Sequence, residues 1–292
     1  MIDQKQYLAV KLGIDVHADS YVVVPQDWDE QGRGVKSDSL DALALCQRLD
    51  RYVGGNRKAF TVVHVPSLKQ ERQRARCRLR EQIQKHRKSL QGQGRSLLLT
   101  QDIRVKGQWW QGTRWRELEE SAPQWVLQHL SVLRELLQAV CQQEKALTEE
   151  LEQDAPKALP RGIGALTYRQ LGVEMCDWSR FNNRRQVSSY TGLCPSEHSS
   201  GKKRRQGHIT KHGNPRVRAK LVECAWRLVR YQPNYPPIQK FRAALLEKKT
   251  SPAARKKAIV AVARRLAVDL WRLFTDQTTP EQIGLLIKPQ IG

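Results

Sequence analysis

Residues 126–151 constrain what this chain can fold into more than any other stretch. Apolar side chains fall at Val126, Leu130, Leu133, Leu137, Val140, Leu147 and Leu151, with Glu144 interrupting the series. Steps of four and three repeat as heptads, and a helix of about four heptads sets them along one seam. Such a seam needs a partner. It is either the second arm of an intramolecular hairpin, paired with the basic helix before it, or a contact between copies of the chain. Ala155-Pro156 ends the run.

The segment before it is strongly cationic. Residues 67–95 carry ten Lys and Arg against Glu71 and Glu81, with arginine at every second position from Arg72 to Arg80. Alternate arginines cannot share one helical face, so a helix here is cationic nearly all round. That pattern suits wrapping by phosphates better than packing on a core, with Arg72, Arg76 and Arg80 as contacts. Trp109, Trp110, Trp115 and Trp125 follow; core packing accounts for them better than base stacking. Across the chain, 51 Lys+Arg against 29 Asp+Glu leave a formal charge of +22, which points to a nucleic-acid partner. With 39% hydrophobic residues and 8 Trp among 292, the chain builds cores rather than a disordered basic tail.

Other classes are excluded. MIDQKQYLAVKLGID lacks the apolar stretch of a signal peptide, and no window approaches the roughly 20 apolar residues of a membrane span. The six cysteines are scattered without a C-x-x-C pair, which argues against a zinc site or a disulfide framework. A protein of the reducing cytoplasm is expected.

Three further features carry chemistry. Residues 7–24 give two β-rich runs around His17-Ala18-Asp19-Ser20, with Asp15 closing the first; Asp38 and Asp41 stand three apart at a helix start. That spacing sets both carboxylates on one face. They are ordinary acids at the positive end of a helix, or, with Asp15, oxygen ligands of a divalent metal used for phosphate chemistry. In LPRGIGALTYRQLG, Gly162 and Gly164 form a turn opening a helix, whose free backbone N–H groups suit a phosphate, as in helix-hairpin-helix modules. Between His198 and Val222 no carboxylate occurs, yet Lys202, Lys203, Arg204, Arg205, Lys211, Arg216, Arg218 and Lys220 crowd together, directly after Ser199-Ser200-Gly201. Such a density repels itself unless a polyanion neutralises it. Residues Pro252 to Phe274 read as an amphipathic helix, with Ile259, Val262, Leu266, Leu270 and Leu273 on one side.

Together, LPRGIGALTYRQLG, FNNRRQVSSYTGLCP, the SSG before the basic run and TKHGNPRVR resemble the C-terminal transposase domain of the IS-one-ten insertion-sequence family. That family includes the Piv-type DNA invertases and the bridge-RNA-guided recombinases. Upstream, GIDVH and VKSDSLDA resemble the first and last acidic motifs of its RuvC-like, RNase H-fold domain, so the likeness runs from about residue 10 to about residue 274. It implies a mixed α/β and α fold: a RuvC-like N-terminal part over 1–60, a basic helical and coiled-coil region over 61–156, a mostly helical C-terminal transposase domain over 157–245, and a helix and tail over 246–292. It also implies that Asp15, Asp38 and Asp41 hold Mg²⁺ or Mn²⁺ and that Ser200 is the nucleophile, the two domains meeting to form a phosphoserine–DNA link. The implied partners are DNA, a structured guide RNA and a second copy through the 126–151 helix. The implied setting is the bacterial cytoplasm, with the protein nucleoid-associated when bound.

The sequence departs from that family in one respect. Asp15 and Asp38 are only 23 positions apart, too close for the strands and helix that carry the family's Glu. The N-terminal domain is therefore read as truncated. Asp27, Asp29 and Glu30 lie nearby without a clear claim to the missing position. The expected function is an insertion-sequence transposase or site-specific recombinase impaired by this loss. The alternative is a non-catalytic DNA- or RNA-binding relic that regulates intact copies.

Overall fold

The chain is described, in a computed structural model, over residues 12–16, 21–25, 38–59, 64–153, 155–156, 158–197, 206–247 and 250–287, with backbone alone up to residue 40. It divides into two compact units, Met1–Val65 and Pro66–Gly292.

In the first unit β1 (Leu12–Val16) and β2 (Tyr21–Pro25) pair antiparallel, Asp15 opposite Val22, as the two β-rich runs predict. α1 (Asp38–Val53) packs on both strands and buries Ala42, Leu43 and Cys46. Asp38 is its first residue, and Asp41 stands one turn on, exposed.

The second unit is helical. α2 (Leu68–Leu99) starts at a capping box: the Gln70 N–H donates to Ser67 Oγ at 3.3 Å, and the Ser67 N–H donates to Gln70 Oε1 at 2.8 Å. α3 (Gly112–Ser121) leads to α4 (Gln124–Gln153), which lies along α2. The heptad seam is thus used inside the chain: Val126, Leu130, Leu137, Leu147 and Leu151 are buried. Trp109, Trp110 and Trp115 are buried beside Leu98, Val126 and Leu130, as core packing requires, whereas Trp125 remains 48% exposed.

The reading of α2 as wrapped rather than packed is corrected by its contacts. Arg76 pairs with Glu150, Arg80 donates to Thr148 Oγ1 at 2.6 Å and to Glu144 at 3.4 Å, and Arg87 donates to Glu144 at 2.6 Å. Cys77, Gly94 and Leu98 are buried on the same helix. Its local sequence shows mostly cations because the carboxylates that neutralise them come from 57 to 96 positions further along the chain.

α5 (Ala165–Met175), α6 (Arg184–Thr191), α7 (Pro215–Tyr231), α8 (Pro236–Lys240), α9 (Arg242–Leu246) and α10 (Pro252–Phe274) complete the unit, with β3 (Pro195–Glu197) and β4 (Gln206–Ile209) as an antiparallel hairpin. α10 has the bounds its periodicity predicts. It packs against α7 and α6 through Ile259, Val262, Leu266 and Leu270. No helix among the described residues is long and apolar enough to cross a membrane.

Candidate nucleic-acid interface

The interface is assembled on a few tight backbone crossings. α6 starts at Asn183, whose side chain accepts from the N–H groups of Arg185 and Gln186, and ends at Gly192, in the left-handed region at φ 64°. From there the chain enters β3 and returns in β4, with Glu197 opposite Gln206. The connection between those two residues contains Ser199, Ser200, Gly201, Lys202, Lys203, Arg204 and Arg205, all outside the described residues.

The return strand is tied to the end of α6. The Thr210 N–H donates to Cys194 O at 2.8 Å, the Lys211 N–H to Gly192 O at 3.1 Å, and the Asn214 N–H to Tyr190 O at 2.9 Å. Gly213, at φ 140°, passes so close to Tyr190 that a Cβ would collide with its carbonyl oxygen. Asn214 then caps α7, accepting from the N–H groups of Arg216 and Val217, and Pro215 fills the first helical position. These bonds fix both roots of the serine-bearing connection.

Of the cations singled out in the sequence, Lys211 is exposed in the left-handed region at φ 57°. Arg218 donates to Thr191 O at 3.2 Å and Lys211 O at 3.1 Å, which locks the crossing. Arg216 pairs with Glu81 at 2.9 Å and faces Glu174 at 3.9 Å. On α2, Arg72 is exposed, whereas Arg76 and Arg80 hold the glutamates of α4. The Gly162 turn, at φ 91°, is anchored through the Arg161 N–H to Leu286 O at 2.9 Å and through Gln232 Nε2 to Arg161 O at 2.6 Å. Gly164 precedes α5 with no side-chain cap, which leaves first-turn N–H groups of the kind that receive an anion.

Glu174 is the hub behind this face. Its carboxylate accepts from Arg78 and, at 2.9 Å, from Asn214 Nδ2, with Arg74 at 3.8 Å. Burial alone pushes its pKa up. The hydrogen bonds from Arg78 and Asn214, with the charges of Arg78 and Arg74, outweigh that and hold it below the ordinary carboxylate value.

A cationic cavity of about 670 Å³, not foreseen in the sequence, opens between α6, α8 and α10. Arg184, Arg185, Lys240, Arg264, Arg265 and Arg272 line it, over a floor that includes Pro237, Phe241, Val268 and Ile283. Asp269 is its acidic lining residue; it faces Arg265 Nε at 3.0 Å and accepts from the Tyr235 hydroxyl at 2.6 Å. The Tyr235 phenol is pushed far up, first by burial and then by the Asp269 charge. The paired arginines of FNNRRQV and of VARRL were the available signal, but nothing local shows that α6 and α10 bring them together.

On the N-terminal side, Asp15 lies in β1 and Asp38 and Asp41 open α1, which packs on that strand. The donor chemistry suits a hard cation such as Mg²⁺. Among the described side chains no three His, Cys, Asp or Glu groups converge on a common point; those of Asp15 and Asp38 lie outside them.

The described residues form a basic helical module that roots a serine-bearing connection between Glu197 and Gln206. Residues 160–240 match the transposase domain of the IS116/IS110/IS902 family. The chain is 29% identical over 286 residues to a putative transposase of Sinorhizobium fredii, covering 89% of this chain and 71% of that protein. It is 25% identical over 271 residues to a probable family 20 transposase of Pseudomonas aeruginosa, covering 88% and 77%. It is 34% identical over 119 residues to the transposase for insertion sequence element IS1111A of Coxiella burnetii, covering 40% and 32%. Residues 160–240 are thus an IS116/IS110/IS902-type transposase domain, and the curated relatives that match nearly the whole chain are named as transposases.

Proposed function

We propose that this chain acts on DNA as an insertion-sequence transposase through Ser200. The observation that carries the reading is the match of residues 160–240 to the transposase domain, within which the serine-bearing connection is rooted at Glu197 and Gln206. Ser200 Oγ attacks a DNA phosphorus: the Oγ–P bond forms, one bridging P–O bond breaks, and the departing sugar oxygen takes up a proton while the serine hydroxyl loses its own. Lys202, Lys203, Arg204, Arg205 and Lys211 offset the charge on the non-bridging oxygens and position the backbone, with Arg72 as an outlying contact. Asp15, Asp38 and Asp41 would hold Mg²⁺ or Mn²⁺, which as a Lewis acid supplies charge stabilisation at the phosphate.

A second reading is favoured by the small first unit. Its described residues contain one two-stranded hairpin and one helix, little from which to position metal ligands. On this reading the chain binds DNA or a structured guide RNA and regulates intact copies. Self-association through α4 would use Trp125, Val132 and Leu136, which stay exposed. Equilibrium binding to duplex DNA bearing the sequences that flank its gene tests the common part of both readings. Tight binding that weakens steeply with salt is expected; absence of DNA binding at low salt overturns the first reading, and absence of binding to a structured RNA as well overturns both.

A further inference from the structure

The cavity between α6, α8 and α10 combines two features that a duplex backbone does not need together. Its rim carries six cations, yet its floor of Pro237, Phe241, Val268 and Ile283 is apolar and concave. Of the six, Arg265 is neutralised by Asp269; Arg184, Arg185, Lys240, Arg264 and Arg272 have no ion-pair partner among the described residues. Five clustered positive charges at the mouth of one cavity repel each other, and a polyanion relieves that.

Phosphates alone would be satisfied by an open convex surface, as along a duplex groove. An apolar floor gains only from a ligand that brings an apolar face into it. Paired bases keep their faces stacked on one another, so a duplex offers this floor nothing. An unpaired nucleotide offers both parts: a planar base for Phe241 and the proline rings, and flanking phosphates for the arginines. The volume of about 670 Å³ lies inside the roughly 300–1,000 Å³ range of pockets that enclose small molecules.

We infer that this cavity is a binding site for one unpaired nucleotide of a single-stranded nucleic acid, its base on the Pro237–Phe241 floor and its phosphates between Arg184 and Arg185 of α6 and Arg264 and Arg272 of α10. The inference rests on the nucleic-acid-directed reading above and adds to it a strand state: the chain holds a locally melted segment, DNA or RNA. The test uses the full chain, with fluorescein-labelled mixed-sequence oligonucleotides as single-stranded DNA, single-stranded RNA and duplex DNA. Ala261, partly exposed on the cavity wall, is replaced by phenylalanine, which fills the space without removing charge.

Expected is a loss of about tenfold in single-strand affinity, the scale of one stacked base, with duplex affinity and melting temperature unchanged. A loss confined to DNA or to RNA identifies the strand held. Equal losses on single strand and duplex, or no loss on either, overturn the inference and leave the proposed function standing. No binding of any nucleic acid by the unmodified chain overturns both. If Ala261→Phe does not fold, the Arg264→Gln/Arg272→Gln pair is read instead. Its single-strand salt slope should fall by about 1.4, from about 0.7 per lost phosphate contact, and an unchanged slope overturns the inference.

Discussion

Arg78 and Glu174, 96 positions apart, meet in a bidentate ion pair, Nε to Oε1 at 3.0 Å and Nη2 to Oε2 at 3.2 Å. The contact joins α2 to α5, and because Asn214 donates to the same carboxylate it also joins both to the start of α7. The long basic helix is thereby fastened to the module that carries the serine connection.

Glu174→Gln should lower stability at neutral pH by about 3 kcal/mol, since it leaves Arg78 and Arg74 facing a neutral amide in a buried setting. The folded carboxyl lies below its ordinary value, so its contribution is complete above the unfolded value of about 4.3 and is lost as pH falls through the folded one. Thermal melts should therefore separate the variant from the parent at about pH 7 and converge only once the pH has fallen below the depressed folded value. A gap that persists in acid would show that charge is not what Glu174 supplies.

Two glycines in α2 should respond in opposite directions to the same substitution. A Cβ on Gly92 meets nothing, whereas one on Gly94 overlaps the buried Trp109 indole, whose Nε1 is held on Gln91 O at 3.0 Å. Gly92→Ala should stabilise by up to about 1 kcal/mol, the helix-propensity gain. Gly94→Ala has the same gain but forces Trp109 to move, an overpacking cost of about 1–3 kcal/mol, for a net loss. At roughly 2–4 °C per kcal/mol for a unit of this size, both shifts are readable by calorimetry. A Gly94→Ala variant as stable as Gly92→Ala would refute the Trp109 packing.

How far the sequence discloses this arrangement depends on range. The seam of α4 and the bounds of α10 were legible because long periodic runs leave one face to bury. The β3–β4 hairpin was not, since Pro195-Ser196-Glu197 and Gln206–Ile209 are short and mostly polar. The partners of Arg76, Arg78 and Arg80 were hidden because a local reading of α2 cannot see Glu144, Glu150 or Glu174. The basic serine connection stands out as contiguous sequence, whereas the α6–α10 cavity draws its cations from three separated segments.

That sorting of cations predicts which ones bind. If six to ten contact phosphates, DNA affinity should fall by roughly 10³–10⁵ between 50 and 200 mM salt. Replacing Lys202, Lys203, Arg204 and Arg205 by glutamine should reduce the salt slope by up to about four. Replacing Arg76 and Arg80 should instead lower the melting temperature with little change in slope, because both already hold glutamates of α4. The reverse pattern would mean that α2 leaves α4 to reach DNA.

The chemistry itself is tested by the covalent adduct. With Mg²⁺ or Mn²⁺ and DNA carrying the flanking sequences, Ser200→Ala should abolish any protein–DNA adduct that survives denaturation while leaving affinity nearly intact, because the hydroxyl makes the bond and the cations do the binding. Ser199→Ala should do much less. The unmodified chain should form adduct only in trace amounts, since among the described residues Asp15, Asp38 and Asp41 stand on one hairpin and one helix. Robust adduct formation would overturn the impairment and imply a replacement carboxylate, with Glu30 the first to substitute. An adduct that persists in Ser200→Ala would remove the nucleophile assignment whatever the state of the metal site.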